Sequence, residues 1–204
     1  MAETFYNTDG GRRIADVAAR LFAQDGFKGV SMAALAREAG VSKAAIFHHY
    51  PSKEALYYSV LKDACAETTR VLRELDEEDE PADQALAHFA RHQIRNLFQH
   101  ADVNQLVLRE LLDAESERVR TLAEEVHGET FQRLVCLIRR GQEAGLFAEA
   151  YDAALVAVIL IGAQVFFFQA REGLGHMPSV SFANDADLFA DSLVTLLLNG
   201  LRPR

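Results

Sequence analysis

The stretch that decides the fold is residues 31–56, SMAALAREAGVSKAAIFHHYPSKEAL. Ser31 precedes an apolar repeat at helical spacing, as an N-cap residue does, and Gly40 follows it where helices commonly end in a left-handed residue. Ser42 is placed to cap a second helix, which ends at Tyr50 because the residue before a proline is pushed out of helical geometry. Two helices joined by so short a turn predict a helix-turn-helix.

The second helix of this pair has two different sides. Because successive residues turn by about 100° around a helix, Ala45 and Ile46 lie on one side with His49 between them, and we expect this side to pack on the first helix. The other side is predicted to be exposed and carries Lys43, Ala44, Phe47 and His48. Because the exposed residues beside the cation are small or flat, the helix backbone can lie close to the floor of a DNA groove. Ser52 then begins a third cap, where Lys53 and the free amides of a helix start face an anion.

Together with residues 12–40, RRIADVAARLFAQDGFKGVSMAALAREAG, this stretch closely resembles the N-terminal domain of the TetR family of transcriptional regulators. The resemblance covers about residues 8–62 and rests on the order of the glycines, the serine caps, the aromatic pair and the Ser-Lys-Glu sequence. It implies phosphate contacts at Ser31, Ser42, Lys53 and either Tyr50 or His49, and base-edge contacts at Lys43, Ala44 and His48. Phe47 departs from the family, because many members have a tyrosine there whose hydroxyl binds a phosphate. A packing contact with a sugar or a thymine methyl is what remains for it.

Helical patterns continue along the rest of the chain, with almost no alternating strand pattern. A first helix is predicted to stop at Gly26, and a fourth runs from Ser52 to about Leu75, before an acidic turn at 76–80. Further helices are predicted at about 83–100, 103–114, 117–144, 152–172 and 184–200. The expected fold is all-α with about nine helices. It comprises a three-helix helix-turn-helix DNA-binding domain at 1–56 and a helical ligand-binding and dimerisation domain at 57–204.

The net charge of -9 at first argues against a nucleic-acid partner. Residues 1–56, however, carry seven Lys and Arg against six Asp and Glu, and residues 57–204 carry fourteen against twenty-four. The acidic excess therefore lies away from the predicted DNA face. Long-range attraction to DNA should be modest, so binding should depend on local contacts and on two-fold repetition.

An uncharged run from Ala153 to Ala170 has the length of a membrane span. Gln164 and Gln169 interrupt it, and the next apolar helix is too short to return across a bilayer. A helix that is apolar on all sides also signals burial between subunits, which is the favoured interpretation. The family resemblance implies that the last two helices meet their copies in a four-helix homodimer interface. Its candidate residues are Val158, Ile161, Val165, Leu188, Val194, Leu197 and Leu198.

A ligand pocket is implied by the same resemblance. Its candidate residues are Phe131, Gln164, Phe167 and Phe168, with Phe166 and Gln169 as further members of the same set. An apolar lining with a few orienting polar groups is typical of a pocket, and the absence of an obvious buried cation suggests a neutral or lipophilic effector. The alternative stays equally open: the phenylalanines fill the core and the dimer interface, and the glutamines bond across the two-fold axis.

The sequence gives little support for a metal site, for catalysis or for a redox role of the cysteines. His88 and His92 have metal-ligand spacing, yet they lie opposite the apolar stripe of their helix on a cationic, solvated face, so no metal site is expected. No GxSxG elbow, phosphate-binding glycine loop or Walker motif occurs, so the chain is not expected to be an enzyme or to hold a cofactor. Cys65 and Cys136 form no CxxC pair and are expected to be small buried hydrophobes of a cytoplasmic protein. The alternative function is a helical protein-interaction or membrane-associated module.

Overall fold

The computed structural model describes residues 9–77, 80–112 and 118–201, and every regular element within them is a helix. The α-helices are α1 Asp9–Gly29, α2 Met32–Ala39, α3 Lys43–His49, α4 Lys53–Glu77, α5 Ala82–Gln99, α6 Ala101–Leu112, α7 Arg118–Thr121, α8 Gly128–Glu143, α9 Ala153–Gly175 and α10 Ala186–Leu201. A π-helical turn, Leu122–Val126, lies between α7 and α8. If α7, the π-helical turn and α8 are counted as one interrupted helix, the described residues contain nine helices. The all-α prediction is confirmed.

Most helix boundaries differ from the predicted ones by one to three residues, and three of the differences have a physical reason in the structure. The first helix continues to Gly29 across a kink at Gly26, whose φ of 69° only a glycine adopts without strain. The fourth helix includes Asp76 and Glu77, because Arg133 and Arg140 of α8 lie 3.3 and 3.6 Å from the Asp76 carboxylate. The segment predicted as one helix at 117–144 is broken ahead of Gly128, a residue that weakens a helix relative to alanine.

Packing divides the chain into two compact units. The first contains Met1–Ala66 and His100–His127, and the second contains Glu67–Gln99 and Gly128–Arg204. This division differs from the domain boundary expected at 56/57. The start of α4 and all of α6 belong with the helix-turn-helix, because their apolar side chains complete its core. The helix α4 contributes residues to both units.

The core of the first unit is built on α1. Ile14, Ala18 and Phe22 recur at helical spacing and are almost fully buried. The other helices of the unit cover this stripe with Leu35, Ile46, Leu56, Tyr57, Leu61, Leu106 and Val107. Phe22, Phe27 and Tyr57 add a ring cluster with centroids 5.0 to 6.1 Å apart. The short helices α2 and α3 thus pack on the longer helix α1.

The core of the second unit lies among the end of α4 and the helices α5, α8, α9 and α10. Its buried side chains include Leu72, Leu75, Leu86, Phe89, Leu134, Ile138, Val156, Leu160 and Val194. The cationic face of α5 packs against α10, with Arg91 2.7 Å from the Asp191 carboxylate and Arg95 paired with Asp187 through two hydrogen bonds of 2.8 Å. This face is cationic and solvated, as expected, since the Arg91 and Arg95 side chains are 40% and 57% exposed, and acidic residues of α10 pair with it.

The helix α9 is the one described helix long and apolar enough to cross a membrane, with a mean hydropathy of 2.2 in its most apolar window. Length and composition alone are weak evidence for such a span. One stripe of α9 is buried in the second unit, including Ala153, Val156, Leu160 and Phe167. Another stripe is exposed and apolar, which bears on assembly.

Candidate functional site

Serine hydroxyls start the three helices around the predicted DNA face. The hydroxyls of Ser31, Ser42 and Ser52 accept hydrogen bonds of 3.1, 3.0 and 3.0 Å from the backbone N–H three residues on. Each therefore satisfies one of the amides that a helix start leaves unpaired. The predicted N-caps at all three positions are confirmed.

The turn between α2 and α3 has the geometry that its sequence predicts. Gly40 has φ 65° and ψ 36°, and the Val41 N–H donates to the Ala36 carbonyl at 3.0 Å, which closes α2. The guanidinium of Arg13 also donates to the Ala39 carbonyl, through Nε at 3.1 Å and through Nη2. A basic side chain of α1 thus satisfies the end of α2.

The two sides of α3 are disposed as predicted. Ile46 is fully buried, and Ala45 and His49 are half-buried against the first unit. The exposed side carries Lys43, Ala44, Phe47 and His48. Phe47 is 46% exposed, which is unusual for a phenylalanine and leaves its ring available to a partner. The exposed surface is basic at its start and flat at its centre.

The structure removes Tyr50 from the candidate phosphate contacts. Its side chain is 1% exposed, and its hydroxyl donates to the Gly11 carbonyl at 3.1 Å. Of the alternatives Tyr50 and His49, His49 is the one with exposed surface. The pattern of the sequence did not separate the two, because adjacent aromatic residues near a helix end have similar local signals.

Lys53 has a structural role that the sequence did not reveal. Its ammonium group donates to the Phe27 and Val30 carbonyls at 2.9 Å each and lies 4.2 Å above the Phe27 ring. These contacts tie the start of α4 to the end of α1. The phosphate contact expected of Lys53 stays a prediction, for which an ammonium group with three donors has one N–H beyond these two hydrogen bonds.

The predicted ligand residues fall in different environments. Phe167 stacks on Phe189 with centroids 4.1 Å apart, and Phe168 meets Phe98 edge-on at 5.3 Å. Within the described residues no ring contact joins Phe131 to this aromatic cluster, and Phe166 is 63% exposed. Phe98, Phe182 and Phe189 also belong to this aromatic cluster, and the sequence did not indicate them, because their contacts join residues that are distant along the chain.

Gln164 is fully buried in the second unit. Its Nε2 donates to the Ala90 carbonyl at 2.7 Å, whereas its Oε1 lies among the buried oxygens without a hydrogen-bond partner in the described protein. An open cleft of about 360 Å³ lies at the surface of the same unit and is lined by Arg95, Phe98, Gln99, Arg171 and residues 184–187. Arg171 lies 5.0 Å from the Phe98 ring centroid. A cation therefore borders the aromatic cluster, which the sequence did not predict.

The predicted dimer residues also divide. Val158 and Leu188 are about half exposed, and Ile161, Val165, Leu197 and Leu198 are half-buried. Val194 is only 3% exposed and packs in the second unit's own core, so its assignment to an interface is wrong. The sequence missed the other exposed large apolar side chains of α9 and α10, which are Leu155, Ile159, Phe166 and Leu196.

The histidines and cysteines show how burial sets their chemistry. Burial lowers the pKa of His92 and of His127. The Cys65 sulfur lies 3.8 Å from His127 Nδ1, and burial raises the pKa of this thiol to about 12.

Cys136 is exposed, contrary to the expectation of burial. Among the described residues, no three His, Cys, Asp or Glu side chains are grouped as a metal ion would need.

Comparison with known families identifies the chain. The family model described as "Bacterial regulatory proteins, tetR family" matches residues 14–60, and "Tetracyclin repressor-like, C-terminal domain" matches residues 83–190, more than half of the 204 residues. The chain belongs to the TetR family of transcriptional regulators. Membership confirms the prediction that it is not an enzyme.

Individual relatives of this TetR-family chain share about a third of its residues or fewer, over part of its length. It is 28% identical over 120 residues to the uncharacterized HTH-type transcriptional regulator YerO of Bacillus subtilis, with 58% of this chain aligned. It is 33% identical over 81 residues to the HTH-type transcriptional repressor AcnR of Corynebacterium diphtheriae, with 40% of this chain aligned. The aligned part spans 42% of the length of each relative.

Among solved structures, the transcriptional regulator FadR of Bacillus subtilis in complex with stearoyl-CoA has a similar fold. Its TM-score is 0.76 at 19% identity, over 94% of this chain and 99% of that chain. At this identity the likeness shows the fold alone.

Proposed function

We propose that this TetR-family regulator is a cytoplasmic repressor that binds a palindromic DNA operator as a homodimer and is released by a small lipophilic effector. The observation that carries the proposal is the exposed side of α3, which is basic at its start and flat along its length. Its backbone is fixed at both ends by a serine cap and a buried tyrosine. A helix presented in this way suits the major groove.

The contacts divide by chemistry. Ser31, Ser42, His49 and Lys53 bind phosphates, which positions the domain without reading sequence. Lys43, Ala44 and His48 face base edges, and a lysine donates well to the guanine acceptors of the major groove. The exposed Phe47 ring packs on a sugar or a thymine methyl, because it has no hydroxyl for a phosphate.

Dimerisation uses the exposed apolar side of α9 and α10. Val158, Leu188 and the additional residues Leu155, Phe166 and Leu196 form its centre, and Ile161, Val165, Leu197 and Leu198 lie at its border. So many exposed apolar side chains on two adjacent helices mark an interaction surface. One small reading face gives few base contacts, so two-fold repetition supplies the rest.

The effector binds in the second unit. The aromatic cluster around Phe167 and Phe168, the buried polar Gln164 and the half-buried Phe131 offer an apolar lining with an orienting polar group. The FadR structure holds a long acyl thioester, which is consistent with a lipophilic ligand in this fold. The AcnR relative is named a repressor, which favours repression over activation here.

The effector acts through α4, whose residues contribute to both units. The two reading helices of a dimer must match about 34 to 36 Å of duplex or a multiple of it, so a small tilt of α4 in each subunit spoils both half-sites. A ligand shifts this equilibrium only if it binds the two arrangements with different affinity. A coupling of about 1 to 3 kcal/mol gives a several-fold to hundredfold change in operator affinity.

The deciding experiment selects bound fragments from a duplex library of random sequence. Enrichment of a near-palindromic sequence, confirmed by retarded migration of that duplex and by a dimer mass in light scattering, supports the proposal. If no sequence is enriched and the protein migrates with every duplex alike or with none, the chain is an interaction module and the DNA proposal is wrong.

A further inference from the structure

The reading helix α3 is too short to hold its own position. It has seven residues, whereas isolated helices below about 12 residues are marginal in water. One fully buried side chain, Ile46, anchors its middle to the first unit. The direction in which α3 projects therefore depends on what fixes its two ends.

The C-terminal end of α3 meets the first turn of α1. The buried Tyr50 hydroxyl donates to the Gly11 carbonyl. Beside it, the imidazole of His49 lies so close to Gly10 that a Cβ added at Gly10 would be 3.3 Å from Nε2. The first turn of α1 thus contacts both His49 and Tyr50, through the missing side chain of Gly10 and the backbone carbonyl of Gly11.

The other end of α3 is tied to the same turn. Arg13 donates two hydrogen bonds to the Ala39 carbonyl, the last residue of α2, and Gly40 and Val41 then lead into the cap of α3. A Cβ at Gly40 would come within 3.0 Å of Arg13 Nη2. Residues 10–13 therefore contact both flanks of the reading helix, while the stripe beginning at Ile14 anchors α1 in the core.

We propose that residues 10–13 of α1 form a bracket that sets the position of the reading helix, with Gly10, Arg13 and Tyr50 as positioning residues for DNA binding. The inference rests on the proposed function. None of the three needs to touch DNA. They act through α3, because a recognition site must be held within about 0.5 Å of its productive geometry to keep its contacts.

Gly10→Ala gives the sharpest test, because it moves stability and DNA affinity in opposite directions. Alanine favours a helix over glycine, so the thermal midpoint should stay the same or rise. The new methyl group lies 3.3 Å from His49 Nε2 and shifts this ring by a few tenths of an ångström. Because His49 is a proposed phosphate contact, affinity for the selected duplex and for a scrambled duplex should both fall about fivefold. The matched control is Gly173→Ala, an exposed helical glycine with open space around its Cβ position. It should leave DNA affinity unchanged.

Tyr50→Phe removes the hydroxyl and keeps the buried ring. We expect a loss of about three- to tenfold in affinity for the selected duplex, with little change for a scrambled duplex that makes only phosphate contacts. Arg13→Lys, which cannot donate two bonds from a planar guanidinium, should behave in the same way. Circular dichroism and light scattering verify that fold and assembly persist.

Two results overturn the bracket while leaving the proposed function intact. One is wild-type affinity, within twofold, for Gly10→Ala and Tyr50→Phe. The other is an affinity loss that follows the loss of thermal stability in every variant, which is what a merely structural contribution gives. If the wild-type protein itself selects no duplex, the proposed function fails and the bracket fails with it.

Discussion

The helix-turn-helix and the pair α9 and α10 are both helical, yet they are specified in different ways. In α2 and α3 almost every boundary is set by a local signal: a serine hydroxyl on a backbone amide, a left-handed glycine, a residue before a proline. Most residues of α9 and α10 are apolar, and local chemistry does not say which of these apolar residues face the chain and which face a partner. The first region is determined by its own residues, and the second by its packing.

Val194 is a buried apolar residue of α10 and Leu196 an exposed one, and substitutions at these two positions should have the largest effects on folding and assembly. Val194→Asp places a charge in the core of the second unit, which should cost about 3 to 5 kcal/mol and unfold that unit. Leu196, 71% exposed, should instead tolerate aspartate in the folded monomer and lose the dimer. Thermal unfolding and light scattering distinguish the outcomes. A folded monomer for Val194→Asp, or an intact dimer for Leu196→Asp, would contradict this division.

Sequence reasoning accordingly did best where local chemistry decides. It placed the caps, Gly40 and the exposed side of α3 correctly, because each depends on residues within one or two turns. It could not see that Lys53 and Tyr50 are held by α1, since those contacts join residues 23 to 39 positions apart. It misassigned Val194 for a related reason: local periodicity does not distinguish an apolar residue that faces the unit's own core from one that faces a partner.

Lys43 and Lys53 allow the same comparison within the predicted DNA face, because Lys43 is exposed and Lys53 is held by contacts with α1. Lys43→Ala should weaken binding to the selected duplex by about 1 to 3 kcal/mol and relax its sequence preference, because Lys43 is exposed and faces a base edge in the proposed complex. Lys53→Ala should weaken binding to all duplexes alike and reduce its salt dependence. It should also lower the thermal midpoint, since it removes two hydrogen bonds to carbonyls.

Fluorescence anisotropy at several salt concentrations measures both effects. The two lysines would exchange roles if Lys53→Ala changed the sequence preference while Lys43→Ala changed only the salt slope. Wild-type binding by both variants would show that α3 is not the reading helix.

Gly40, in the turn between α2 and α3, can be compared with Gly145, which has a similar backbone conformation outside the DNA face. Both have positive φ, 65° and 71°, so alanine should strain each backbone by about 1 to 2 kcal/mol. At Gly40 the added methyl also meets Arg13 Nη2 at 3.0 Å, whereas at Gly145 nothing lies within 4 Å. Chemical denaturation should therefore show a larger loss for Gly40→Ala, and only that variant should lose DNA affinity. Equal losses of stability would mean that the Arg13 side chain yields without cost.

The smallest expected effect is a pH dependence from His127, which lies where α8 begins. Burial lowers the pKa of His127 below its ordinary value of 6.5, and its Nε2 has no hydrogen-bond partner in the described protein. Below pH 6.5 the unfolded chain binds a proton that the folded chain does not yet bind, so stability must fall as the pH falls and is unaffected above that value.

We therefore expect the urea midpoint of the wild-type protein to drop between pH 7 and pH 5. His127→Gln should remove part of that drop, because glutamine cannot take up the proton, and His100→Gln, at an exposed position, should leave it unchanged. Burial lowers the pKa of His92 as well, so a remaining slope is expected in the His127 variant. An identical pH slope in wild type and His127→Gln would mean that this imidazole is solvated in the folded protein. The break before α8 would then be set by Gly128 and the packing of Val126 alone.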